Sequence, residues 1–196
     1  GVRALRVTYV GELGWELHVP MPHMPKVFDA LMAAGKPHGI RLFGSYAMNS
    51  LRMEKAYRHW GHDIADEDNP IESGLGFTVA WDKPGGFIGR EALLPLRGKK
   101  DLAKRLVCIA LKDDSETAPM MYHEEPVYRD GELVGSTTSG AWGHRIGKSL
   151  AIALVKNPAG VTADWLMSGK WEVEIAWKRY EATVQLQSFY DPKGER

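Results

Sequence analysis

Two carboxylates, Glu12 and Glu16, lie in Tyr9-Val10-Gly11-Glu12-Leu13-Gly14-Trp15-Glu16-Leu17, a glycine-bent and otherwise apolar stretch. One falls in a turn and the other on the strand leaving it, so both can face one concavity beside Tyr9 and Trp15. A carboxylate placed there suits a flat ligand with adjacent N–H donors, because its two oxygens accept two parallel charge-assisted bonds. Spacing alone equally allows Glu12 to face water and Glu16 to pair across the hairpin with a cation such as Arg6.

Other reactive side chains form weaker patterns. His59, His62 and Asp63 in "RHWGHD" offer one loop's worth of metal ligands and no second cluster, so a hydrogen-bonded loop is expected and no metal site. Asp63, Asp66, Glu67 and Asp68 lack the spacing and glycine of a calcium loop. Ser139 in "TTSG" is outside any GxSxG elbow, and there is no P-loop, GxGxxG, CxxC or HExxH. Nucleophilic serine, nucleotide and zinc-hydrolase chemistry are therefore not expected.

The elements that position the carboxylates begin with a hairpin. Leu5, Val7 and Tyr9 alternate with Arg6 and Thr8, and Trp15, Leu17 and Val19 alternate with Glu16 and His18, across a bend at Gly11 and Gly14. Met24, Val27, Phe28, Leu31 and Met32 recur at helical spacing, with Gly35 and Pro37 as a stop. A second helix is predicted over Ser45 to Tyr57, a strand over Phe77 to Trp81, and a short helix from Arg90 to Leu94.

From Lys104 the pattern changes to six strands: Leu106–Leu111, Pro126–Tyr128, Leu133–Ser139, Ser149–Val155, Trp171–Trp177 and Tyr180–Phe189. Asp130-Gly131 is a two-residue hairpin signal. Such a series predicts a small antiparallel barrel or sandwich, with the domain boundary in Arg97-Gly98-Lys99-Lys100-Asp101.

Composition narrows the partners. Twenty-five basic residues balance twenty-five acidic ones, which argues against a nucleic-acid partner. No run approaches the ~18–20 apolar residues of a membrane span, and no leader-like segment opens the sequence. Cys108 is alone, inside an apolar run, and reads as a buried thiol in a reducing compartment. The strand-like opening at Gly1 predicts that part of the protein precedes it.

The carboxylate hairpin also occurs with other motifs in a fixed order: "AMNSLRMEKAYRHWGHDI", "NPIESGLGFTV", "FIGREAL", "VGSTTSGAWGHRIGKSLAIALV" and "SFYDPKGER". This set, spanning essentially the whole chain, resembles the folate-binding aminomethyltransferase family typified by the glycine cleavage T-protein. Its wording is most similar to the C-terminal regions of dimethylglycine and sarcosine dehydrogenases, and it is also similar to sulfoniopropionate demethylases.

The resemblance implies an α+β architecture: residues 1–98 as the C-terminal part of the folate-binding domain, and residues 99–196 as an antiparallel β-barrel domain. It implies tetrahydrofolate as cofactor, with Tyr9, Glu12, Glu16 and Arg52 lining or reading its pterin and Glu16 aligned with the ligand-contacting carboxylate. FAD is implied only in a missing N-terminal domain. The partners implied are a methylated glycine or aminomethyl donor and the rest of the same protein, in a bacterial cytoplasm or a mitochondrial matrix. No catalytic residue is assigned here, because the family's aspartate lies upstream of Gly1. Met48 stands where an arginine is usual. A stand-alone aminomethyltransferase of glycine cleavage and a non-catalytic folate-sensing or assembly domain are the alternative functions, and the fragment alone is expected to be inactive.

Overall fold

The computed structural model describes residues 1–115 and 117–195. The last predicted motif therefore ends on a residue, Arg196, outside the described residues.

The first hairpin is shorter than the alternation predicts. Only β1 (Arg3–Leu5) and β2 (Glu16–His18) pair, with Arg3 opposite His18 and Leu5 opposite Glu16. Residues 6–15 form a loop instead, because Gly11 turns at φ 74° and packs its bare Cα on the Lys55 stem, where a Cβ would overlap Lys55 Cγ. Helix α1 (Met24–Gly35) follows as predicted. Its apolar stripe, however, stays in the open: Met24, Phe28 and Leu31 are exposed, and no residue of the helix is buried.

Helix α2 (Ser45–Glu54) is different, burying Ser50, Arg52, Met53 and Glu54. It ends three residues before the predicted Tyr57 because Ala56 adopts a left-handed conformation. Tyr57 N–H then donates to Arg52 O and Ala56 N–H to Met53 O, which satisfies carbonyls the helix leaves open. The predicted strand at Phe77–Trp81 is a correction: Gly76–Thr78 is a 3-10 turn, with Phe77 85% exposed and Thr78 N–H donating to Leu75 O. Among the described residues no strand lies alongside it, so its β-forming side chains have nothing to pair with. Helix α3 (Arg90–Leu93) runs into a 3-10 turn over Leu94–Leu96.

Six strands then close into an antiparallel barrel: β3 (Lys104–Leu111), β4 (Pro126–Arg129), β5 (Glu132–Gly143), β6 (Lys148–Lys156), β7 (Trp171–Ile175) and β8 (Lys178–Gln185). Their order around the barrel is β3-β6-β5-β4-β7-β8, so no edge is left unpaired. Val107, Ile109 and Leu111 of β3 point into the barrel with Val127, Ala153, Val155 and Val173. Leu106 and Ala110 point outward, yet they are buried too, in a second cluster with Leu150, Ile152 and Met53 of α2. Burial on both faces explains why β3 reads as a continuous apolar run while β7 and β8 alternate.

Helix α4 (Ala163–Ser168) is capped by Thr162, whose side chain accepts from Trp165 N–H. It places Leu166 in the barrel core, and Trp171 Nε1 donates to the Leu166 carbonyl at 2.8 Å. The β7–β8 turn, Ala176-Trp177, takes positive φ at both positions and holds Trp177 96% exposed.

Candidate functional site

A buried polar network sits where α2 meets β5. Helix α2 is laid along the strand by Ser50 Oγ, which donates to Trp142 O at 2.5 Å, and by Asn49 Nδ2, which donates to Gly140 O at 3.2 Å. Gly140 allows the neighbouring chain to come close, since a Cβ there would collide with the Met121 carbonyl. Behind this seam lies Asp63, whose side chain is fully buried.

Asp63 Oδ2 accepts from Arg52 Nη1 and from His59 N–H, both at 2.8 Å. Its Oδ1 accepts from Thr138 Oγ1 at 2.5 Å and Ser139 Oγ at 2.6 Å. In a regular strand two successive side chains point to opposite faces. The β5–β6 register shifts between Thr137 and Ser139, and that bulge lets both hydroxyls meet one oxygen. Removing one partner of such a buried ion pair is expected to cost about 3–5 kcal/mol.

In front of Asp63 opens a groove of about 520 Å³ lined by Tyr46, His59, His62, Tyr122, Thr138, Ser139 and Trp142, among others. His59 and His62 stack with ring centres 4.6 Å apart, and Tyr9 tilts against His59 at 6.3 Å. Partial desolvation, then the neighbouring His62 and Arg52, hold His59 below the usual imidazole range, with Asp63 opposing. Desolvation raises the Tyr9 phenol, with Arg52 opposing, so Tyr9 stays protonated near neutral pH. Among the described residues no group of three or more His, Cys, Asp or Glu side chains is arranged to hold a metal.

The sequence-predicted residues divide into two groups. Tyr9 lies against His59, which lines the groove, and is not itself among the lining residues. Arg52 is 2% exposed; its Nε donates to Asn49 Oδ1 and its Nη1 to Tyr57 O and Asp63. It is therefore braced behind the groove, not presented at its surface. Glu12 is engaged by Arg145 Nη1 at 2.9 Å, in the β5–β6 turn. That turn is held in place by buried Glu54 of α2, whose carboxylate accepts from the backbone N–H of Arg145 and Ile146. Glu16 is exposed on β2, and its one ion-pair contact among the described residues is His18 at 4.0 Å. The cross-strand pair with Arg6 does not form, because Glu16 stands opposite Leu5 and Arg6 lies past the paired strands.

Sequence reasoning passed over Glu54, Asp63, Thr138 and Ser139 as site residues. The signal for Asp63 was its place in "RHWGHD"; nothing local pointed to its hydroxyl partners on β5.

Residues 1–83 match the GCVT N-terminal domain, and residues 104–191 match the glycine cleavage T-protein C-terminal barrel domain. The chain is 44% identical to 4-methylaminobutanoate oxidase (formaldehyde-forming) of Paenarthrobacter nicotinovorans, over 98% of this chain and 22% of that protein. It is 40% identical to human mitochondrial sarcosine dehydrogenase, over 100% of this chain and 21% of that protein. Human mitochondrial dimethylglycine dehydrogenase is 41% identical, over 93% and 20%. The chain thus spans about a fifth of the length of the curated relatives it matches. A crystal structure of glycine cleavage system aminomethyltransferase T from Bartonella henselae shares the fold, at a TM-score of 0.79 and 21% identity, over 97% of this chain and 50% of that one.

Proposed function

Because the chain belongs to the glycine cleavage T-protein family, we propose that it forms one side of a tetrahydrofolate site for one-carbon transfer in a longer N-methyl-amine-oxidising protein. The observation that carries the proposal is the division of labour in the hairpin. Glu12 is bound to Arg145, whereas Glu16 keeps an exposed carboxylate whose one ion-pair contact among the described residues is His18, 4.0 Å away.

A carboxylate in that condition accepts the paired N–H groups of a pterin without first breaking an internal salt bridge. The residues present offer what such a ligand needs: Glu16 supplies an exposed acceptor on the hairpin, and the groove between α2 and β5 supplies a cleft lined by aromatic rings, one of which, His59, packs against Tyr9. Arg52 supports this wall from behind. Tetrahydrofolate, when bound, supplies the nucleophilic nitrogen that captures the one-carbon unit. The chain's own contribution is binding and orientation, which is catalysis by positioning.

The exposed faces of β1, β2 and α1 are covered by the preceding part of the longer protein, which also supplies the acidic residue and, in a dehydrogenase, an FAD domain. A methylated glycine or related amine is the one-carbon donor. The mitochondrial relatives favour the matrix for a eukaryotic parent and the cytoplasm for a bacterial one. Residues 1–98 and 99–196 act as the two functional units.

Glu16→Ala in the full-length protein is expected to weaken tetrahydrofolate binding by on the order of 1.5–3 kcal/mol in calorimetry. Glu12→Ala, which breaks only a half-exposed salt bridge, should cost less than about 1 kcal/mol. Unchanged affinity in Glu16→Ala would remove the basis of the proposal.

A further inference from the structure

We propose that the groove wall formed by Thr138 and Ser139 recognises an N–H donor group of the ligand, and that buried Asp63 sets this preference. The inference rests on the reading of the groove as part of the one-carbon site.

A hydroxyl has one proton and two lone pairs. Four donors and no acceptor surround the Asp63 carboxylate. Ser139 commits its proton to Oδ1, and Thr138 Oγ1 faces only acceptors, Oδ1 at 2.5 Å and the Ile152 carbonyl at 3.2 Å, so its proton is spent on them as well. Their remaining capacity is lone pairs. Both residues line the groove, so this stretch of wall presents two adjacent acceptors and no donor.

The arrangement is locked from the other side. Arg52 Nη1 and His59 N–H can only donate, so Oδ2 must remain an acceptor. The bulge in β5 is what brings two successive hydroxyls to one oxygen, a geometry that regular pleating forbids. The chemical class selected is therefore an amine or amide N–H. Two parts of the chemistry carry one: the folate itself, at a nitrogen between its rings, and a protonated secondary amine substrate.

Asp63→Asn reverses the wall. The asparagine oxygen must stay toward Arg52 and His59, which turns its NH2 toward Thr138 and Ser139. Both hydroxyls then accept from the amide; Thr138 can turn its proton to the Ile152 carbonyl, whereas Ser139 becomes free to donate into the groove.

The test uses the full-length protein and two matched probe pairs in calorimetry. The first pair is tetrahydrofolate and its 10-methyl derivative; the second is N-methylglycine and trimethylglycine, which lacks an N–H. Wild type is expected to prefer the N–H member of one pair by about tenfold, and that pair identifies the source of the donor. Asp63→Asn should abolish or invert the ratio. Thr138→Val and Ser139→Ala, which leave the Arg52–Asp63 pair intact, should each reduce it severalfold, and they decide the matter if Asp63→Asn does not fold. A ratio unchanged in these variants, or no preference in wild type for either pair, overturns the proposal. Failure here with tetrahydrofolate binding still dependent on Glu16 leaves the folate reading standing, whereas loss of the Glu16 dependence as well sinks both.

Discussion

The barrel and the β1–β2–α1 region carry equally clear apolar patterns, but only the barrel buries them. Ile109, Leu111, Val127, Val155 and Val173 are essentially inaccessible, whereas Val2, Leu5, Trp15, Phe28 and Leu31 are all exposed. Periodicity thus specifies which face of an element is apolar; it does not specify whether the covering element lies within the same stretch of sequence. The barrel covers itself by closure, and α1 lacks a cover among the described residues.

The largest expected difference between the regions is in stability. Ile109→Ala should destabilise the chain by about 2–5 kcal/mol in urea unfolding, because it empties a fully enclosed site. Cys108, beside it but on the outward face of β3 with Leu106 and Ala110, reports on a different event, the parting of the preceding region from the barrel. Burial pushes its thiol up to about 11, so it should resist alkylation at pH 8 until that cover opens. Rapid alkylation of the folded chain would contradict this packing.

A smaller effect is expected at the junction between the regions. Lys104, the first residue of β3, donates to Asp68 at 2.9 Å. Desolvation raises the Asp68 carboxyl, but the Lys104 hydrogen bond and charge and the Ala65 N–H outweigh it and lower it overall. A lowered carboxyl contributes stability that is present above the unfolded value, about pH 4, and lost as pH falls through the folded value. Thermal melts between pH 6 and 3 should therefore show a falling midpoint, with Asp68→Asn flattening part of that fall. An identical pH profile in the variant would remove this bridge from the account.

The smallest effect belongs to α1. Phe28→Ala should change the stability of this chain by no more than about 0.5 kcal/mol. In the full-length protein, where the stripe is proposed to be covered, the same change should cost several times as much. Equal costs in both settings would break the comparison.

The barrel was legible because its strands carry their own signals: alternation in β7 and β8, a continuous apolar run in β3, and Asp130-Gly131 at a turn. The strand predicted at Phe77–Trp81, which does not form, shows the limit of that signal, since β-forming residues without a partner strand settle into turns. The site was legible only in part. Glu16 and Tyr9 stand out locally, but Asp63 acquires its meaning from hydroxyls brought in by β5, far along the chain. Arg52, which the resemblance implies as a pterin contact, is buried and directed toward Asp63, a placement that its position in the motif does not reveal.

The β5–β6 turn has a practical consequence for anyone who wishes to graft onto this fold. Glu54 grips its backbone while Arg145 reaches from it to Glu12, so its length is fixed at both ends. A tag, dye or inserted peptide placed there would drag the carboxylate hairpin with it. The Ala176-Trp177 turn makes no side-chain hydrogen bond or ion pair among the described residues, and its two left-handed residues would be relieved by Asn-Gly. It is the barrel's natural attachment point.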